Sequence, residues 1–296
     1  MTTQRGTAVI MAMLVVAVAA ALVSGAMWQQ SALIRETENE LHYSQARWLL
    51  RGAIDWAGVI LREDARTSSV DHAGEPWSVP LADTRLNEND GRPPAYLAGS
   101  IEDEQAKFNL RNLVVNQEVD ARELAGLRRL LAAVRINETV AEAIAARIQA
   151  AVRAAMAQRP ALGLVELEDL LAVEGMDGAA LERLRPFVTV LPEPTPVNAN
   201  TASPEVLTSQ FAQLGILEAR RVVAARERAY FKDLGDVRAR LIDAGATAAG
   251  DVPIAVATRY FAIEGMVSYG NARLHARALV RRDGNRIEVL WLKELA

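Results

Sequence analysis

The stretch "TTQRGTAVIMAMLVVAVAA", residues 2–20, decides how the rest of the chain is read. A single cation, Arg5, precedes a run from Thr7 to Trp28 that carries no charge. At roughly 1.5 Å per residue, about 22 helical residues reach roughly 33 Å, enough to cross the hydrocarbon core of a bilayer. Arg35, Glu36, Glu38 and Glu40 follow the run. The weak positive bias on the N-terminal side therefore predicts residue 1 in the cytoplasm and the bulk of the chain outside, an arrangement that a Gram-negative periplasm would suit.

The same residues also permit a disposable leader. Ser24, Gly25 and Ala26 are small enough for a leader peptidase, and cleavage there predicts a soluble periplasmic chain that begins at Met27. Against it, the helical pattern continues through Leu41, Gln45, Trp48, Leu49, Gly52, Ala53, Trp56 and Ile60, positions three or four apart that share one helix face. One helix of about 55 residues, half in lipid and half amphipathic, accounts for both parts. Trp48 and Trp56 on that face read as packing residues, in the core or against another subunit. Asp55 reads as exposed or paired with Arg51.

Composition narrows the function. Of 296 residues, 51% are hydrophobic and 24% charged, which predicts a folded protein. The net charge of -4 is spread along the chain, so no basic patch invites nucleic acid. There is no cysteine, and the three histidines, His42, His72 and His275, stand far apart, which disfavours thiolate and histidine metal centres. No nucleophile elbow, phosphate loop or dinucleotide fingerprint is present. The chain reads as a non-enzyme.

Residues 67–98 are rich in Asp, Gly, Pro and Asn and predict irregular structure, with Trp77-Ser78-Val79 and Tyr96-Leu97 as short edge strands. "GSIEDEQAKFNLRNLV", residues 99–114, reads as a strand and loop leading into a helix. Helical spacing dominates 118–191, and Pro186, Pro192, Pro194 and Pro196 then enforce an extended connection. "VNANTASPEVL" restarts a helix with Ser203 as N-cap and Pro204 in its first turn, and further helices are expected over 218–229 and 234–244. The C-terminal residues alternate apolar and polar around Tyr269-Gly270-Asn271 and Asp283-Gly284-Asn285, which predicts three antiparallel strands.

The short leader ending in Arg5-Gly6, the immediate uncharged run and its amphipathic continuation resemble the class III signal of type IV pilins and type II secretion pseudopilins. The stretch 99–114 is similar to a conserved segment of the minor pseudopilin K family, with Ala106 and Lys107 in place of its Gly and Arg. That resemblance implies cleavage after Gly6 by the prepilin peptidase and N-methylation of the new terminus, Thr7. It also makes Met11 informative, because the usual pilin carries Glu at that fifth mature position. A carboxylate there costs about 2.5–3.5 kcal/mol to insert, and its absence marks the K subunit at the filament tip.

The expected fold class is α+β, a pilin-like long helix on a small antiparallel sheet, interrupted by a large all-α insertion. The segments are 1–6 leader, 7–28 transmembrane helix, 29–65 its amphipathic continuation, 66–111 with 256–296 the pilin-like domain, and 112–255 the insertion. Expected partners are minor pseudopilins I and J, other pseudopilins, the prepilin peptidase and inner-membrane lipid, without nucleic acid. No cofactor is required. Calcium, which the family is known to bind, makes Glu102 and Asp103, beside Glu104, candidate ligands. A rival reading comes from "AVEGMDGAALERL" at 172–184 and the stretch beginning "NANTASPEVL". These look similar to helix-hairpin-helix repeats, which would make the chain a membrane-tethered periplasmic protein for DNA binding or uptake.

Overall fold

The structure, a computed structural model, describes residues 4–88, 91–157, 163–246 and 252–295. A run of Ala, Val, Leu and Met without proline forms α1, Gln4–Thr67, a single helix of 64 residues. Among the described residues, only the part from His42 onward meets the rest of the molecule. There Ala46, Leu50, Ile54, Ala57 and Leu61 are buried on a five-stranded sheet.

The sheet consists of β1 (Leu81–Arg85), β2 (Ala95–Asp103), β3 (Tyr260–Tyr269), β4 (Ala272–Asp283) and β5 (Arg286–Leu295). Its order is β1-β2-β3-β4-β5, and every neighbouring pair is antiparallel. The period-2 alternation of the C-terminal segment sends Leu274, Ala276, Ala278 and Val280 toward α1. Gly265 on β3 lies opposite Gly99 on β2. A Cβ added at Gly265 would sit 3.0 Å from Leu50 Cδ1, so the absent side chain sets how closely the helix approaches.

The stripe that α1 buries is offset from the one its apolar spacing suggests. Trp48 and Trp56 remain 69% and 52% exposed. The sheet takes the smaller and branched residues one step round the helix, where ridges can approach closely, and the bulky indoles stay on the outer flank. Residues 67–98 also differ from expectation. Pro76–Ser78 form a 3-10 turn rather than a strand, with Trp77 buried and its indole N–H donated to Glu75 Oε2 at 2.8 Å. Tyr96 and Leu97 belong to β2, an interior strand of the sheet. Within 99–114 no α-helix follows the strand. Asp103 and Asn109 accept from the amides of Gln105 and Arg111, closing 3-10 turns over Glu104–Ala106 and Leu110–Leu113.

Among the described residues, all remaining α-helices lie in the connection between the neighbouring strands β2 and β3. They are α2 (Ala121–Ala133), α3 (Val140–Met156), α4 (Gly178–Leu184), α5 (Pro204–Gln210), α6 (Ile216–Arg228) and α7 (Leu234–Asp243). Ser203 caps α5 by accepting from Val206 N, with Pro204 at the first position, as its sequence predicts. The insertion has two cores. Phe108, Leu127, Leu131, Ile144 and Leu184 centre the first, and Leu207, Phe231, Val237 and Leu241 the second. The architecture is therefore a long helix on a small antiparallel sheet, interrupted by a large helical insertion.

Candidate functional site

Two features of this fold have no role in burying a core: the uncovered part of α1, and a polar joint where the helix, sheet and insertion meet.

Within Ala8–Thr67 an 18-residue window reaches mean hydropathy 2.6, and none of it is buried. It is long and apolar enough to span a bilayer. Met11 is 68% exposed. Gly6 and Thr7 fall in the first turns of the helix, while residues 1–3 of the expected leader lie outside the described residues. Further along, Trp48, Trp56 and Val59 are exposed on the part of α1 that packs on the sheet. Trp56 borders an apolar cleft of about 240 Å³, shared with Ala53, Ile60, Val79, Leu97 and Ile101, between the helix and the β1 side of the sheet.

The polar joint centres on Arg282. On β4 it has the same parity as Leu274, Ala276, Ala278 and Val280, so its side chain points inward and is buried. Its Nη1 donates to Asp64 Oδ2 at 2.8 Å, and its Nη2 to Asp71 Oδ2 at 2.6 Å and to the Thr258 carbonyl at 3.0 Å. The guanidinium lies 4.8 Å above the Phe261 ring. Asp71 accepts from Thr258 N at 2.7 Å, and its carbonyl accepts from Asn198 Nδ2 at 3.0 Å. Asn198 also donates to Asp103 Oδ2 at 2.8 Å. The joint thus ties the end of α1, the 68–76 loop, β2 and β4 to the start of the second helical lobe. His72 adds a ring stacked on Tyr230 at 4.0 Å. Burial pushes Asp64 up to about 6, helped by the nearby Glu75 charge and opposed by Arg282. Burial likewise raises Asp103 to about 6, against the hydrogen bonds from Thr201, Thr258 and Asn198.

Local patterns did not point to this cluster, because its members are distant in sequence. Parity could have found Arg282, since a charge at a core-facing strand position demands a buried counter-charge.

Glu102 and Asp103 are consecutive on β2 and point to opposite faces. Asp103 is buried and accepts from Gln105 N, Asn198 and Thr201. Glu102 is half exposed, 3.5 Å from both Lys107 Nζ and Arg277 Nη2. Burial acts to raise Glu104, but Lys107 and Arg277 outweigh it and hold the carboxyl below its usual range. Glu104 also accepts from Thr189 Oγ1 at 2.6 Å. A hard cation needs six or more converging oxygens, and these three carboxylates are already committed to nitrogen and hydroxyl donors on two sides of the strand.

The glycine turns compared with helix-hairpin-helix repeats carry their own anions. Asp177 caps α4 by accepting from Ala180 N at 2.7 Å. The Glu218 carboxylate lies against Gly215, at the start of α6, where it would meet any added Cβ. Phosphate approaching either helix start would meet a carboxylate.

A long helix, apolar and uncovered in its first part and docked at its end on a small antiparallel sheet, defines a pilin-like fold whose leading helix is long and apolar enough to span a bilayer. Two family models described as type II secretion system, protein K, match residues 106–193 and 197–257, and these limits follow the two helical cores. Protein K of the type II secretion system of Pseudomonas aeruginosa is 31% identical, covering 91% of this chain and 86% of that protein. That of Klebsiella pneumoniae is 28% identical, covering 97% and 95%. A chain in the crystal structure of the GspK-GspI-GspJ complex from enterotoxigenic Escherichia coli superposes with TM-score 0.69 at 20% identity, covering 88% of this chain and 99% of that one. The chain belongs to the type II secretion system protein K family, the minor pseudopilins that its N-terminal segment and residues 99–114 resemble.

Proposed function

We propose that the protein caps the tip of a periplasmic pseudopilus and helps initiate it, for export of folded proteins across the outer membrane. Residues 1–6 are the leader removed by the prepilin peptidase after Gly6, leaving N-methylated Thr7. Residues 7–28 span the inner membrane with the N-terminus in the cytoplasm, 29–65 continue the helix, and 112–255 are the insertion within the pilin-like part. Its partners are minor pseudopilins I and J. The relative in the solved complex is bound to proteins of those names, which supports this choice. Exposed apolar positions such as Met11, Trp48 and Trp56 are the contacts for neighbouring helices.

One observation carries the reading: a single continuous helix, uncovered through its apolar half, ends on a sheet whose β2–β3 connection carries a bulky two-lobed insertion. A subunit stacked above would have to displace that insertion. Met11 offers no carboxylate to such a neighbour. Intact mass of the protein from membranes tests the first half of the proposal, with a chain beginning at methylated Thr7 expected. Purification with tagged I and J tests the second, with all three recovered together. A mature product beginning at Met27, or distribution along whole filaments, overturns it.

A further inference from the structure

Among the described residues, one group of carboxylates converges as metal ligands do: Asp64, Asp71 and Glu75, all buried, with oxygens within 4.8 Å of one another. Three ionised carboxylates at that spacing repel strongly in a low-dielectric setting, so a cation or protons must accompany them. We infer that Arg282 is that cation, supplied by the chain itself, so that the joint between sheet, helix and insertion holds without a divalent metal.

The guanidinium fork fits the cluster. Nη2 reaches both Asp71 oxygens while Nη1 reaches Asp64, and the remaining donor capacity goes to the Thr258 and Leu61 carbonyls. This planar, permanently charged head satisfies two carboxylates at once, as a Lys ammonium would not. Phe261 closes one face of the guanidinium. Glu75, the third carboxylate, is held by neutral donors, Trp77 Nε1 at 2.8 Å and His72 N at 2.9 Å, with His72 Nε2 at 3.9 Å. Asp71 already accepts from Thr258 N besides Arg282, so its oxygens are filled. A calcium ion would need Arg282 expelled and several further oxygens brought in. Together with Glu102 and Asp103 facing opposite ways, this arrangement places the joint outside the calcium chemistry that the family resemblance implies.

The test follows thermal unfolding of the full chain in detergent, in calcium and in EGTA. The wild-type joint is expected to give the same midpoint in both. Arg282→Met is expected to lower the midpoint in EGTA by roughly 10 °C, because it strands buried carboxylates, and calcium should restore part of that loss. Glu75→Gln, which keeps the Arg282–Asp71 pair and both neutral donors supplied, is expected to fold with a midpoint at or above wild type. The inference fails if calcium raises the wild-type midpoint and Glu75→Gln abolishes that rise, since the cage then holds metal. It also fails if Arg282→Met matches wild type, or if calcium leaves the loss in Arg282→Met unrescued. Should Arg282→Met not fold, the comparison of wild type with Glu75→Gln still decides.

Discussion

The two ends of α1 are one helix made for two reasons. Its first part is uniformly apolar and exposed all round, so nothing in the molecule selects a face and the helix satisfies its own backbone wherever it lies. Its last part is amphipathic, and a narrow stripe from Ala46 to Leu61 is selected by the sheet beneath it. The difference teaches that continuity of secondary structure says nothing about continuity of environment. The first end has the length and apolarity to span a bilayer, and the second is fitted to a core.

The largest expected effect breaks the membrane end. Replacing Val15 and Val18 together by lysine adds about 2.5–3.5 kcal/mol of insertion cost per charge at the helix centre. The protein should leave the membrane fraction, while unfolding of its sheet and insertion stays unchanged. If fractionation still finds it in the membrane, the two ends are not adapted to different surroundings.

A smaller effect sharpens the core end. Leu50→Ala removes a side chain 2% exposed and packed over Gly265, and should cost about 2–5 kcal/mol in chemical denaturation. Trp48→Ala, on the flank of the same helix, should change stability by less than about 0.5 kcal/mol. Equal losses would mean that the outer flank is also core.

A further effect concerns the buried acids at the joint and beyond it. Asp64 and Asp103 rise from 3.8 to about 6, and Glu123 from 4.5 to about 7, with burial the first cause in each. Between those values the folded chain holds more protons than the unfolded one, so stability grows as pH falls from about 7 and is fully present below the unfolded values. The thermal midpoint at pH 5 should exceed that at pH 7, and Asp103→Asn should shrink the difference. A midpoint that falls over this range would contradict the assignment of burial as the dominant cause.

Much of the fold was legible locally. The uncharged run predicts α1, strict alternation with two glycine turns predicts β3 to β5, and Ser203-Pro204 predicts the start of α5. Each is a pattern within a few turns of chain. Apolar spacing left open whether Trp48 and Trp56 pack in the core or against another subunit, and the sheet excludes them from the core because it admits residues that let the backbones approach. Trp77 looked like strand and is a buried turn, because its partner Glu75 is set by the joint.

By itself the sequence determined that an apolar helix leads, that an alternating meander ends the chain, and that helices fill the middle, since period and composition are properties of neighbouring residues. Only the tertiary structure decided which flank of α1 is covered and that Arg282 meets Asp64 and Asp71. Those depend on groups as far apart as 211 and 218 positions, and their pairing exists only once the strands have brought them out of water together.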